Sequence, residues 1–79
     1  MITRKFKLYR KRDKTGISGT GLVAEGVQFF NDKVALTWTS SVKTMEVMDS
    51  WKDFLTIHIH NHNNNSTIVW EDGEEENYE

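Results

Sequence analysis

The chain has 79 residues and contains neither cysteine nor proline. Without cysteine it forms no disulfide and no thiolate zinc site. It has no apolar run near the roughly 20 residues of a membrane span, and its N-terminus lacks the apolar core of a signal peptide. A soluble cytosolic protein is expected. Glycine is scarce outside one stretch: four of the five glycines are Gly16, Gly19, Gly21 and Gly26. A chain of this length is one domain with a small core, and small cores are often supplemented by self-association. With disulfides excluded, a homo-oligomer becomes a serious expectation.

The net charge of −2 conceals a strong asymmetry. Residues 1–14 hold seven of the ten basic side chains: Arg4, Lys5, Lys7, Arg10, Lys11, Arg12 and Lys14. Residues 71–79 hold Glu71, Asp72, Glu74, Glu75, Glu76 and Glu79 with no base. The division expected is a β-rich domain over 1–70 and an acidic, disordered tail over 71–79. That tail could also fold back and screen the basic segment, as an intrachain competitor for an anion.

Residues 4–11 alternate, with Phe6, Leu8 and Arg10 on one face and Lys5, Lys7, Tyr9 and Lys11 on the other. This is a half-buried strand with a basic outer face. Residues 22–30 and 33–39 read as a hairpin around a two-residue Asn31-Asp32 turn, with Glu25-Gly26 as a bulge or bend. Residues 43–48 read as a strand with Met45 and Val47 inward. Asp49-Ser50 then starts a short helix, with Ser50 and Asp53 at capping spacing. Trp51, Phe54, Leu55 and His58 share its buried face. A polar loop over 60–66 and a last strand over 67–70 complete the order β-β-β-β-α-β. The fold expected is mainly β with one short α-helix, as a small twisted antiparallel sheet or an SH3-like barrel.

The stretch Thr15-Gly16-Ile17-Ser18-Gly19-Thr20-Gly21 follows the basic strand directly. No Gly-Lys-Ser/Thr follows it and it leads into a strand, so it is neither a P-loop nor a dinucleotide fingerprint. Two readings remain: a plain connector, or a nest of backbone N–H groups for an anion, assisted by the Ser18 and Thr20 hydroxyls. His58, His60 and His62 alternate. On a strand they would share a face and suit zinc or copper; on a helix they diverge. No carboxylate lies nearby in sequence to support a metal, so neither metal nor cofactor is expected. A ligand contact and a solvated loop stay open for these residues. Catalysis lacks a constellation, since Ser18 and Thr20 have no base at a recognisable spacing.

Residues 16–27 read G-x-S-G-T-G-x-V-A-E-G-V. With Val34-Ala35-Leu36-Thr37-Trp38, Asp49-Ser50, Ile57-His58 and Ile68-Val69-Trp70, this pattern resembles a family of small proteins encoded by bacteriophages and related mobile elements. The resemblance spans residues 4–70. The family reads Ile-His-Gly-His-Asn-Gly where this chain has Ile57-His58-Ile59-His60-Asn61-His62, so both glycines are replaced. The resemblance implies a host-takeover or anti-defence role in the host cytoplasm. Phage proteins of similar size and style include sponges for cyclic or ADP-ribose-type immune nucleotides.

The expected protein is therefore a non-enzymatic, homo-oligomeric binding module for a nucleotide-like anion. Arg10, Arg12 and Lys14 would supply charge. Backbone at Gly19 and Gly21, with Ser18 and Thr20, would bind phosphate or ribose, and His58 and His60 would make lateral contacts. One alternative is a protein–protein antagonist of a host defence or regulatory protein. Another is a nucleic-acid-binding module, which the slightly acidic balance and the lack of an RNP-type motif disfavour.

Overall fold

The computed structural model describes residues 2–11 and 21–79. Six strands form one open antiparallel sheet: β1 (Arg4–Arg10), β2 (Gly21–Gln28), β3 (Val34–Trp38), β4 (Met45–Met48), β5 (Ser66–Trp70) and β6 (Glu75–Tyr78). Their spatial order is β4-β3-β2-β1-β5-β6. The mainly β reading with one short helix is borne out, as a sheet and not as a barrel. The two ends of the sheet do not meet, because β4 and β6 are its opposite edges. The structure also adds a strand at the C-terminal end: Glu75–Tyr78 of the segment read as a disordered tail pairs with β5.

A helix of 12 residues crosses one face of the sheet. It begins as α1 (Trp51–Phe54), widens to π spacing over Leu55–Ile59, and tightens to a 3-10 turn over His60–His62. Ser50 caps it through its hydroxyl, which accepts from the Asp53 N–H at 3.1 Å, as the Ser50/Asp53 spacing predicts. Asp32 adds a second cap from the β2–β3 connection, accepting from the Trp51 N–H at 3.3 Å. The helix reaches His62, so the expected polar loop over 60–66 is shorter. Asn63, Asn64 and Asn65 all have positive φ, and the Asn64 N–H bonds back to the Ile59 carbonyl at 2.8 Å. Asparagine tolerates left-handed backbone better than most residues, so the asparagine run serves as a helix terminator.

Three local expectations change. The β2–β3 loop closes between Phe29 and Lys33 (2.7 Å) and places Phe30, Asn31 and Asp32 in the turn; Asp32 alone takes the left-handed position, at φ 74°. This is a three-residue loop and not the two-residue Asn31-Asp32 turn. The bulge sits at Val23 and not at Glu25-Gly26, since Leu8 pairs with Ala24 while Tyr9 pairs with Leu22. An extra residue in the ladder breaks the alternation, which explains why adjacent Val23 and Ala24 are both buried. In β4, Met45 and Val47 are outward, 73% and 71% exposed, while Met48 is buried. Glu46 takes an inward place because two hydrogen-bond donors wait for it there.

The core lies between helix and sheet: Phe6, Leu8, Val34, Leu36, Phe54, Ile59, Ile68 and Trp70 are its buried members, with others. Phe6 is ringed by Trp51, Phe54 and Trp70, with centroids at 5.2, 5.3 and 5.6 Å. Its ring lies over Gly26, its partner across the ladder. A Cβ at Gly26 would stand 2.5 Å from Phe6 Cζ and 2.8 Å from the Ala35 carbonyl oxygen. The ring could shift but the β3 backbone could not, so Gly26 is a packing glycine. Gly26→Ala is expected to cost about 2 kcal/mol by overpacking, read as a lower urea midpoint at unchanged slope. A midpoint equal to that of the parent protein would refute the tight fit.

Candidate anion site at the stem of the glycine-rich segment

Arg10 ends β1 on the inner face of the sheet and pairs with Gly21 on one side and Ser66 on the other. Gly21 has φ +76°, a conformation that costs other residues. The pair Arg10/Gly21, the last of the β1–β2 ladder, is thus the stem of the glycine-rich segment. Arg12, Lys14, Ser18, Gly19 and Thr20, all expected site residues, lie outside the described residues.

The helix lies against this stem. Arg10 is buried, 8% exposed, and its Nη2 donates to the His58 carbonyl at 3.2 Å. The His58 ring is also buried. Its Nε2 bonds the Glu46 carboxylate at 2.8 Å, and the other Glu46 oxygen accepts from Trp38 Nε1 at 2.8 Å. Burial pushes the Glu46 carboxyl up, but these two hydrogen bonds outweigh it and hold it below its ordinary value. Trp38 meets His58 edge to face at 5.0 Å, and His62 stacks on His58 at 6.5 Å. His62 is pushed below its ordinary pKa by burial first, then by the charges of Arg10 and His58.

The structure therefore brings Arg10, Gly21 and His58 together. It separates His60, whose Nδ1 lies 2.9 Å from Asn64 Oδ1 and whose ring meets Tyr78 at 6.2 Å. The three histidines therefore do not share one face, since helical spacing turns His60 away from His58 and His62. Among the described residues no group of three metal-ligating side chains is assembled. His62, absent from the expected set, belongs with Arg10 and His58. Its i+4 spacing from His58 on a helix is the signal that places it there.

The acidic segment folds back onto the basic strand. Arg4 pairs with Asp72 (3.0 Å) and Glu74 (3.1 Å), and its guanidinium lies 4.0 Å from the centre of the Trp70 ring. Lys11, beside the stem, pairs with the Glu79 side chain at 2.8 Å, and the Glu79 backbone oxygen accepts from Asn64. A hollow of about 310 Å³ opens there among Lys11, Asn63, Asn65 and Glu79. A larger trough of about 580 Å³ lies on the outer face among Lys5, Lys7, Tyr9 and Glu25. Its charges are mixed, since Lys7 faces Glu25 across the ladder, so it suits a single anion less well than the stem.

A family model described as Acb5 phage protein matches residues 3–72. The chain belongs to that family. The Acb5 match runs from the start of β1 past the end of β5, so it takes in the stem and the histidine helix and stops short of β6. The resemblance to phage-encoded proteins is thereby borne out, and the chain is a small phage accessory protein. Neither a curated protein nor a solved structure matches it. Among the described residues no helix is long and apolar enough to cross a membrane.

The lowered His62 pKa fixes a sign for stability. Below the ordinary value of 6.5 the unfolded chain takes up a proton that folded His62 resists. Stability conferred by neutral His62 is present above that value and is lost as pH falls toward the folded value. Urea midpoints should drop between about pH 7.5 and about pH 5.5, and His62→Asn should lose part of that drop. An equal drop in the variant would contradict the placement of His62 beside Arg10.

Proposed function

We propose that this phage protein is a non-enzymatic binding module that sequesters a nucleotide-like anion used as a host immune signal, acting in the host cytoplasm as a homo-oligomer. The observation that carries the reading is the stem itself: a buried arginine at the foot of a glycine- and hydroxyl-rich segment, flanked by two stacked imidazoles. Guanidinium groups favour phosphate through paired N–H donors. Successive glycine N–H groups favour the same oxygens. The half-buried ring of His62, backed by the buried ring of His58, offers a flat contact for a base or ribose. Arg12, Lys14, Ser18, Gly19 and Thr20 supply the remaining contacts in this reading. Glu79 on Lys11 supports it further, because a carboxylate already rests against the basic shoulder of the site.

Isothermal titration with cyclic di- and trinucleotides and ADP-ribose-type nucleotides should find one class bound at micromolar concentration or tighter. Lys14→Ala should weaken that binding about tenfold, the loss of one charged hydrogen bond. Heat release should return the ligand with unchanged mass, whereas an altered mass would make the protein an enzyme. No binding across the panel, with a stoichiometric host protein captured instead, would favour the antagonist reading. Glu79→Gln removes the internal carboxylate from Lys11 at an exposed position, and should strengthen anion binding about two- to fivefold. An unchanged affinity in that variant would show that the tail does not compete.

A further inference from the structure

We propose that β4 is the docking edge for a second copy of this chain, the two β4 strands pairing antiparallel about a two-fold axis through Glu46. The inference rests on the homo-oligomer reading above and gives it a surface and a register. It makes no use of the ligand.

β4 closes one edge of the sheet and β6 the other. The Trp38 N–H donates to the Thr44 carbonyl at 3.1 Å, and Glu46 and Met48 pair with β3 in the same phase. Main-chain groups of alternate residues point to opposite sides of an antiparallel strand. Those of Met45 and Val47 therefore point at the open edge. Their side chains are apolar and exposed, as is Val42 just before them, at 72%. Soluble proteins guard such edges with lysine, proline or inward charge, or else cover them. Within β4 the one charge, Glu46, is turned onto Trp38 and His58. The β6 edge is guarded: Glu75 and Glu76 lie in the strand and Glu74 and Glu79 flank it. Two β6 strands would set like charges against each other.

The sequence of β4 and its flanks is complementary to its own reverse. With Glu46 on the axis, Met45 faces Val47 of the second copy and Lys43 faces Asp49, and symmetry repeats both contacts. The Met45/Val47 positions are then the hydrogen-bonded pairs, which gives four new main-chain bonds. Lys33 of the same chain holds Oδ1 of Asp49 at 3.1 Å, which leaves Oδ2 for Lys43 of the second copy. Sliding the register by two residues sets Asp49 against Met45 and leaves Lys43 unmatched. The two Glu46 side chains meet near the axis, but each is already held by an indole and an imidazole of its own chain. On the outer face, Val47 continues through Ala35 to Val27, so pairing extends that apolar row across the seam by Met45 of the second copy.

So short an edge gives a small interface and a dissociation constant on the order of 10 µM. Sedimentation velocity over about 1–200 µM should show a reversible monomer–dimer equilibrium. Lys43→Glu and Asp49→Lys should each weaken the dimer about tenfold or more, and the double charge swap should restore it. Met45→Pro removes an edge-facing N–H without touching the ladder to β3, and should abolish the dimer while leaving the fold intact by circular dichroism. A monomer at every concentration would overturn both the inference and the homo-oligomer reading. An oligomer that tolerates these variants, or a double swap no better than the single changes, would overturn the β4 register alone.

Discussion

Phe6 occupies the space where a side chain at Gly26 would stand, and the rest of the fold is arranged around that contact. β1 is central in the sheet and Phe6 is central on its buried face. Sinking the ring onto a bare backbone lets a helix of only 12 residues come close enough to cover it. Trp51 and Phe54 descend from that helix and Trp70 rises from β5, all within ring-packing distance of Phe6. Aromatic rings bury much area per residue. This is how a chain without disulfides obtains a core from so few positions.

The two edge strands are attached by one device used twice. Trp38 on β3 donates its indole N–H to Glu46 on β4, and Trp70 on β5 donates its own to Glu76 on β6 at 2.6 Å. The remaining oxygen of each carboxylate is also taken, by His58 in one case and by the Tyr78 hydroxyl at 2.8 Å in the other. Burial, and then Glu76, push the Tyr78 phenol up to about 12. A half-buried indole N–H needs an acceptor, and a glutamate on the neighbouring edge strand provides one. Both edges are therefore docked by polar side chains on the inner face, and in β4 this leaves the apolar side chains of Met45 and Val47 to point outward.

That device is also why the sequence misled where it did. β1, the β2–β3 hairpin and the helix start follow from alternation and capping, and these are legible because burial and hydrophobicity agree there. In β4 they disagree. Met45 and Val47 look like the inward pair, but Trp38 requires Glu46 on that face, and a shift of one residue turns every side chain over. The acidic segment misled similarly. Net charge argued for disorder, yet Glu76 and Tyr78 are spaced to share a face, and an aromatic residue at that spacing is the mark of a strand. At the stem, Arg10 and Gly21 were legible from charge and glycine. His62 was not, because its place depends on helical geometry extending through a run of residues that reads as loop.

The same arrangement divides the chain's positive charge by role. Arg4 and Lys11 are neutralised by the C-terminal segment, one at each end of β1. Lys5 and Lys7 stand on the outer face, where Glu25 and Glu71 dilute them. Among the described residues, Arg10 is the basic side chain of β1 that is buried on the sheet's covered side. Its burial requires a partner, and the His58 carbonyl, which lies in the π-spaced stretch of the helix, supplies one. Such widening inside a helix frees or redirects carbonyl groups and is found often at functional positions. The irregular helix and the buried arginine thus meet through that carbonyl, and both lie at the foot of the glycine-rich segment.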